Sequence, residues 1–366
     1  MAEALALAAR IPRRPWPNPP VGAVVVRDGV VVGRGAHHGA GTEHAEIVAL
    51  REAGDAARGA TLYCTLEPCN HQGRMPPCAP AVVRAGIGRA VIAIADPNPK
   101  VCGGGTQRLQ EAGIDVRVGV MAAEALDLVW PFVATRAFER PFVLLKTATT
   151  IDGFFAPPSS ARRPDEPFYL TGGESRRDVH RLRRWCDAVI VGERTMAEDR
   201  PQLDGRLAGE DAPCPAADPM PGYVDTDLSL VAGWSRPHWV FVGASARDST
   251  EAAGTWRSIV RCDERDGHVD LASLLARFVE CGGRVLMVEG GPTLAAAFLR
   301  AGLVDRWIAY TAPVVLGGGV RWPDFPTDLQ FHLTRAEQLG TDAKAVWDRL
   351  PFGATLRALA GPEGVA

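Results

Sequence analysis

The sequence predicts an α/β protein with two domains. Strand-like and helix-like segments alternate in both halves of the chain, which is typical of α/β folds with a largely parallel or mixed sheet. The 366 residues exceed what a single hydrophobic core usually holds. A new strand-like run begins at residue 142, after a helical segment, so we predict domains over 1–142 and 143–366.

The first domain is predicted to begin with a helix over 3–10 and a β-hairpin over 21–36. In the hairpin, two β-branched runs flank Asp28-Gly29, and Asp-Gly between such runs is a strong hairpin signal. Thr42 can then cap a helix whose apolar residues recur at helical spacing up to Gly54. The remaining elements are predicted as a strand over 61–67, a helix over 77–87, a strand over 89–94, a loop over 96–105 and a helix-strand pair over 107–120.

The second domain follows a helical segment over 122–141 and repeats the alternation. Between 200 and 237, Pro, Gly, Asp and Ala dominate with little periodicity, which predicts a long loop. The run over 288–298 passes from a strand through two glycines into a helix, a turn where phosphate oxygens can meet free backbone amides. By itself this turn could equally be a plain connection. Strands are predicted at 142–150, 187–192, 238–244 and 284–288, and helices at 178–187, 271–283 and 292–302.

Composition restricts the partners of the protein. Hydrophobic residues make up 46% and charged residues 23% of the chain, as in globular proteins. A formal net charge of −3 gives no field for a nucleic-acid backbone, so no nucleic-acid partner is expected. No apolar run is long enough to span a bilayer, so we expect no membrane partner and a cytoplasmic location. A pair of such domains commonly self-associates, which predicts a homo-oligomer.

One segment of the first domain holds ligand-type side chains at a spacing suited to catalytic zinc. It contains a His-x-Glu pair, a Pro-Cys pair and, after eight further residues, a second cysteine. Catalytic Zn²⁺ takes three protein ligands and keeps one position for water, whose pKa it lowers towards ~7. We predict that His44, Cys69 and Cys78 bind the metal. Glu46 is predicted to carry protons beside it.

This order of residues is typical of the zinc nucleobase deaminases, although the gap between their cysteines is usually two residues. A purely structural zinc site is an alternative, but such sites normally use four ligands in tighter pairs. Chance spacing is another. A zinc-stabilised binding protein without turnover is the alternative from a different functional class.

The wide cysteine gap occurs in one family that the chain resembles. The segments PNPPVGAVVV, HAE, TLEPCNHQGRMPPC and DPNPKVCGGG are similar to the deaminase half of the bifunctional riboflavin-biosynthesis enzymes, the RibD family. The resemblance implies a cytidine-deaminase-like three-layer α/β/α domain that deaminates 2,5-diamino-6-ribosylamino-4(3H)-pyrimidinone 5′-phosphate. It assigns zinc to the three ligands above and proton transfer to Glu46. It also implies substrate contacts at Asn18, His37, His71 and Arg74, although Asn18 could simply cap a turn and the two histidines could be solvated loop residues.

The second half resembles the reductase half of the same family. The similar segments are KTATTIDG, VHRLRRWCDAVIVGERTMAED, VEGGPTL and APVVLGGG. The resemblance implies a dihydrofolate-reductase-like α/β domain that uses NADPH to reduce the ribosyl group to ribityl. The implied NADPH contacts are Thr149, Tyr169, Thr195, Asp199, Gly291, Pro292, Thr293 and Leu294. The implied substrate contacts are Arg183, Leu203, Arg206 and Glu289.

Departures from the family pattern are concentrated in this second half. Tyr169 stands where the family has Trp, Arg200 replaces the second Asp of Asp-Asp-Pro, and Asp204 replaces a Thr. The segment PGYVD over 221–225 lacks a cation that the family carries. An alternative hypothesis is therefore an active deaminase joined to a divergent reductase-like domain, of changed or lost activity, in a specialised pyrimidine-derived pathway.

Overall fold

The computed structural model describes residues 1–11, 18–73, 75–98, 104–137, 140–161, 168–206, 218–230, 234–247, 256–324 and 328–360. The chain divides into two compact units, Met1–Ala137 with Ala354–Ala366, and Phe138–Gly353. The sequence predicts domains over 1–142 and 143–366, whereas the second unit of the structure spans Phe138–Gly353 and the chain belongs to the first unit again from Ala354. Among the described helices, none combines the length and the hydropathy that a membrane crossing requires.

The first unit is built on a five-stranded mixed sheet with strand order β2-β1-β3-β4-β5. The hairpin pair and the β1/β3 pair are antiparallel, and the β3/β4 and β4/β5 pairs are parallel. Its strands are β1 Gly22–Arg27, β2 Val30–Ala36, β3 Thr61–Cys64, β4 Arg89–Ile92 and β5 Asp115–Val118. Its helices are α1 Ala2–Ala9, α2 Ala45–Ala53, α3 Cys78–Arg84, α4 Gly104–Glu111 and α5 Ala122–Ala137.

The predicted hairpin is present, and its turn has the expected geometry. Asp28 and Gly29 both have positive φ, 51° and 78°, which is the backbone of a two-residue turn matched to strand twist. Gly35 on β2 allows α2 to pack directly on the hairpin, because a Cβ there would lie 2.0 Å from the Ala45 carbonyl oxygen. This close approach fixes the first turn of α2 against the sheet.

The predicted cap of α2 is wrong. His44 is the N-cap residue, with extended backbone at φ −72° and ψ 155°. The Thr42 hydroxyl donates instead to the Gly39 carbonyl oxygen at 2.7 Å. Thr42 therefore stabilises the loop before α2, and His44 occupies the helix entry itself.

The second unit contains a nine-stranded sheet with order β10-β9-β8-β7-β13-β6-β14-β16-β15. Neighbours from β10 to β14 are parallel, and β16 pairs antiparallel with both β14 and β15. The strands are β6 Phe142–Thr150, β7 Ala188–Gly192, β8 Met220–Val224, β9 His238–Gly243, β10 Arg257–Cys262, β13 Val285–Val288, β14 Arg306–Ala312, β15 Phe331–Leu339 and β16 Asp342–Arg349, with a separate pair β11 Glu264–Arg265 and β12 His268–Val269. The helices of this unit are α6 Gly173–Arg183, α7 Glu193–Asp199, α8 Leu271–Glu280 and α9 Pro292–Arg300. The last helix, α10 Leu350–Ala360, begins in this unit and belongs to the first unit from Ala354 onward.

The long loop predicted over 200–237 is wrong in its middle, because β8 runs through it. Pro and Gly are uncommon inside strands, so the sequence of β8 does not predict a strand. Pro221 is nevertheless buried between β7 and β9, and a Cβ on Gly222 would lie 3.0 Å from the Trp239 carbonyl oxygen. The strand is thus specified by its two buried neighbours and not by its own composition.

Parallel strands place the chain segments of both candidate sites. The segments that follow β3 and β4 leave the first sheet at the same edge, because parallel strands share a carboxyl end. In the second sheet, β7, β13 and β6 are adjacent and parallel. Ligands commonly bind at the carboxyl ends of such strands.

Candidate active sites

The three predicted metal ligands lie together in the first unit. His44 Nδ1 is 3.1 Å from Cys78 Sγ and 3.5 Å from Cys69 Sγ. His44 begins α2, Cys78 begins α3 after Pro77, and Cys69 follows β3. Their donor atoms all lie within 4.8 Å of one another, and among the described residues this is the one cluster of three or more such side chains.

The donor set fits zinc. One imidazole nitrogen and two sulfur atoms are preferred Zn²⁺ ligands, and three protein ligands leave one tetrahedral position for water. Hydrogen bonding from Cys78, and then from His44, lowers the pKa of the Cys69 thiol to about 4 despite burial. Of the two adjacent thiols, Cys69 therefore ionises first, whereas the hydrogen bond with Cys69 and then burial raise the pKa of the Cys78 thiol.

Glu46, in the first turn of α2, lines a cavity together with His44 and Cys69. Its side chain is buried, with 4% of its surface exposed. Burial raises the pKa of Glu46 to about 7. A carboxyl group near neutrality can both accept and release a proton at physiological pH.

A cavity of about 290 Å³ opens in front of these residues, and three of the predicted substrate contacts line it. Asn18 donates from Nδ2 to His37 Nε2 at 2.9 Å, and His37 Nδ1 donates to the Glu43 carbonyl oxygen at 3.1 Å. His71 lines the same cavity. Arg74, the fourth predicted contact, lies outside the described residues.

The cavity also contains residues that were not predicted as site residues. Asp96, Asn98 and Glu67 line it. Asp96 accepts a hydrogen bond from the Asn98 amide at 2.8 Å, and burial raises the pKa of Asp96 to about 6. The available signal was the position of Asp96 and Asn98 just after β4, since β4 is parallel to the strand that leads to Cys69.

Glu67 connects the parts of this site. Its carboxylate accepts from the Asp96 amide at 3.2 Å and from the Thr106 amide at 2.8 Å. Gly105 lies so close that an added Cβ would be 1.9 Å from the Pro68 carbonyl oxygen. The start of α4 is therefore packed directly against the segment that carries Cys69.

The second unit has a cavity of about 270 Å³ at the carboxyl ends of its parallel strands. Gly291 is the N-cap of α9, and its amide donates to Thr195 Oγ1 at 3.2 Å. This helix entry leaves backbone amides available to an anion. The predicted residues that line the cavity are Thr195, Asp199, Glu289, Gly291, Pro292, Thr293 and Leu294.

Five predicted residues do not line this cavity. Arg183 forms a two-point ion pair with Glu289, from Nε to Oε1 at 2.6 Å and from Nη2 to Oε2 at 2.9 Å. Tyr169 is 61% exposed and stacks under Arg176. The other three are Thr149, half-buried on β6; Leu203, buried with a positive φ of 51°; and Arg206, whose Nε lies 3.3 Å from Asp204 Oδ1.

Lys146 is a cavity-lining residue that the sequence analysis missed. Its Nζ lies 3.9 Å from Glu289 Oε2 and 5.9 Å from the centre of the Tyr310 ring. Burial lowers the pKa of Lys146, an effect that Glu289 opposes. The available signal was a lysine inside the otherwise apolar and hydroxyl-bearing strand β6.

Comparisons with known proteins identify the family. The model of the RibD C-terminal domain matches residues 141–345, and that of the cytidine and deoxycytidylate deaminase zinc-binding region matches residues 1–94. The riboflavin biosynthesis protein RibD of Escherichia coli K12 is 39% identical over 331 residues, which cover 88% of this chain and 89% of that protein. The chain belongs to the RibD family. RibD of Aquifex aeolicus is similarly 36% identical over 358 residues, covering 93% and 95%.

Solved RibD structures are similar to this chain over nearly its whole length. Acinetobacter baumannii RibD has a TM-score of 0.75 and 35% identity, covering 95% of this chain and 97% of that one. A Thermotoga maritima deaminase/reductase, described as acting on diaminohydroxyphosphoribosylaminopyrimidine and 5-amino-6-(5-phosphoribosylamino)uracil, has a TM-score of 0.73 and 29% identity, covering 96% and 97%. The predicted two-domain α/β fold and the family are confirmed.

Membership of the RibD family fixes the enzyme class. The protein is a bifunctional enzyme of riboflavin biosynthesis, with a zinc-dependent deaminase and an NADPH-dependent reductase. The predicted cofactors, Zn²⁺ and NADPH, are confirmed by the two domain matches together with the ligand cluster. A small phosphorylated pyrimidine is consistent with this family as substrate.

Proposed function

We propose that the first unit hydrolyses the exocyclic amine of 2,5-diamino-6-ribosylamino-4(3H)-pyrimidinone 5′-phosphate, and that the second unit then reduces the ribosyl group to ribityl. The observation that carries the first step is one cavity lined by Glu46 together with the zinc ligands His44 and Cys69. Deamination by water needs a nucleophile and a proton carrier within reach of the same carbon atom.

In the deaminase, His44, Cys69 and Cys78 would hold Zn²⁺, which would lower the pKa of a water molecule and so provide the nucleophile. The Glu46 carboxylate accepts a proton as the oxygen attacks the ring carbon. It then returns a proton to the departing amino nitrogen, so that ammonia leaves. The near-neutral pKa of Glu46 suits both transfers.

The polar residues around the deaminase cavity hold the substrate. Asn18 and His37 are linked by a hydrogen bond and offer polar groups to the pyrimidine ring. We assign the ribose phosphate to His71 and Arg74. Asp96 and Asn98, on the neighbouring loop, supply carboxyl and amide groups for the remaining polar edges of the ring.

In the reductase, NADPH would supply the hydride for C1′ of the ribose. Thr195, Asp199 and the residues from Gly291 to Leu294 hold the cofactor. Lys146 holds a proton at Nζ beside Glu289. We assign to Lys146 the protonation of the sugar ring oxygen, which must accept a proton as the ring opens.

The predicted contacts that lie outside the cavity have supporting roles in this proposal. Arg183 fixes Glu289 through its two-point ion pair. Leu203 and Arg206 flank Asp204, whose backbone carbonyl oxygen accepts from Arg183 Nη1 at 3.1 Å. Thr149 and Tyr169 are assigned to the outer part of the cofactor site.

The departure from the family pattern at Arg200 is compatible with this activity. Arg200 is exposed and occupies the left-handed position after α7, with φ 43°. Its side chain does not line the described cavity. The change of charge at this position therefore falls on the surface, away from the strand ends that hold Lys146 and Glu289.

We propose that the protein binds a small phosphorylated pyrimidine and neither nucleic acid nor a membrane. We also propose that it forms a homo-oligomer. The net charge of −3 supports the first part. The edge strand β15 supports the homo-oligomer, since most of its residues are exposed and 51% of the Leu333 surface is accessible to solvent. Sedimentation velocity tests the assembly: a single monomeric species at micromolar concentration contradicts it.

The two activities are tested on one purified sample. Ammonia release from the diaminopyrimidine phosphate should depend on bound zinc and stop after chelation. NADPH oxidation with the deaminated phosphate should continue after zinc has been removed, because the residues assigned to the reductase lie in the second unit. Ammonia release that persists without zinc contradicts the deaminase assignment, and no NADPH oxidation contradicts the reductase assignment.

A further inference from the structure

Helix α5 forms part of the wall of the deaminase cavity. Phe132 and Arg136, one helical turn apart, both line it. Phe132 is 7% exposed and is anchored in the first unit, whereas Arg136 is exposed on the last turn of the helix. The Arg136 guanidinium lies 5.2 Å from the centre of the Phe132 ring. This cation–π contact restricts the guanidinium to positions along the cavity wall.

The charge of the cavity makes Arg136 significant. Glu46, Glu67 and Asp96 bring three carboxyl groups to the lining. Among the described lining residues, Arg136 is the one arginine or lysine. A phosphate that enters this cavity must be balanced by a cation that stays charged at every physiological pH, and arginine meets this condition.

We infer that Arg136 joins His71 and Arg74 in binding the 5′-phosphate of the deaminase substrate, and that it contributes to the preference for a nucleotide over its nucleoside. The inference rests on the proposed function of the first unit. A guanidinium presents two parallel N–H donors to phosphate oxygens, and such charge-assisted pairs are stronger than neutral hydrogen bonds. Arg136 touches the substrate far from the reacting carbon, so it acts on binding and leaves the proton transfers to Glu46.

A structural role for Arg136 predicts a different outcome. A basic residue in the last turn of a helix also stabilises the helix dipole. Loss of that effect would lower the stability of the first unit. The enzyme would then bind the phosphorylated and the unphosphorylated substrate less tightly by the same factor. The comparison of the two substrates therefore separates the two roles.

The test compares ammonia release by the full-length zinc enzyme from the substrate phosphate and from its phosphatase-treated nucleoside. Arg136→Ala should raise KM for the phosphate about 10- to 100-fold, as expected for loss of a charged hydrogen-bonding pair. For the nucleoside, KM should change by less than about twofold. Arg136→Lys should fall between, because lysine keeps the charge and loses the fork. Arg84→Ala, at an exposed last-turn arginine of α3 outside the cavity lining, is the matched control.

Equal losses on the two substrates, or no loss on the phosphate, would overturn the inference. Zinc content and the activity of the Arg84→Ala control report separately on the proposed function. If the unmodified enzyme holds zinc but releases no ammonia, the deaminase assignment fails. If it releases ammonia and Arg136→Ala treats both substrates as the unmodified enzyme does, only the phosphate contact fails.

Discussion

Replacing Glu289 with Gln should strongly destabilise the second unit. The side chains of Glu289 and Arg183 are 6% and 12% exposed and joined at 2.6 and 2.9 Å, with Lys146 Nζ at 3.9 Å. The neutral amide would leave two buried cations without their carboxylate. Breaking a buried pair in this way costs about 3–5 kcal/mol, whereas an exposed pair is worth roughly 0–1 kcal/mol.

Urea denaturation followed by tryptophan fluorescence measures this loss, since most tryptophans lie in the second unit. With a urea dependence of about 2 kcal/mol per molar, the midpoint should fall by roughly 2 M. The double variant Arg183→Met/Glu289→Leu is the control, because removing both charges should cost less than removing one. A loss below about 1 kcal/mol for Glu289→Gln would refute the buried-pair reasoning.

The same pair predicts a pH dependence. Burial raises the pKa of Glu289, but the Arg183 guanidinium outweighs it, so the pKa lies below its ordinary value of 4.5. The unfolded chain therefore takes up the proton first as the pH falls. The stabilisation should be complete above pH 4.5 and decline below it. The difference in unfolding free energy between the unmodified protein and Glu289→Gln should shrink only in that acidic range, and a difference that grows there contradicts the assignment.

Two further substitutions test one site each. Lys146→Met should slow NADPH oxidation by about 10²- to 10⁴-fold, the usual contribution of a proton donor, while ammonia release stays unchanged; equal loss of both activities would point to misfolding. Gly105→Ala should destabilise the first unit by about 1–3 kcal/mol and lower ammonia release, because the new Cβ meets the Pro68 carbonyl oxygen at 1.9 Å. Gly104→Ala, whose Cβ has its nearest neighbour at 4.0 Å, is the matched control, and similar behaviour of the two variants would contradict the steric reason.

Features that depend on neighbouring residues could be predicted from the sequence. The Asp28-Gly29 turn and the start of β6 at Phe142 follow from local backbone preferences and patterning. The grouping of His44, Cys69 and Cys78 could be predicted because His and Cys are the side chains that zinc prefers, at a spacing found in one family. Their geometry depends on three element ends that the chain brings together.

Features specified by distant partners could not be predicted. Strand β8 contains Pro and Gly, and is a strand because β7 and β9 bury it on either side. The role of Lys146 depends on Glu289, which is distant in sequence but is brought next to it by the pairing of β6 with β13. Similarly, the return of the chain to the first unit brings together residues that are far apart in sequence, such as Ala95, whose amide donates to the Leu359 carbonyl oxygen at 3.2 Å.

Zinc content and ammonia release of Glu46→Gln test the central assignment most directly. The amide cannot accept and return a proton, but it fills the same buried space beside ligands that the substitution leaves intact. We expect zinc content equal to that of the unmodified enzyme and a loss of ammonia release of about 10²- to 10⁴-fold or more. Near-normal ammonia release from the zinc-loaded variant would contradict the assignment of Glu46 as the proton carrier.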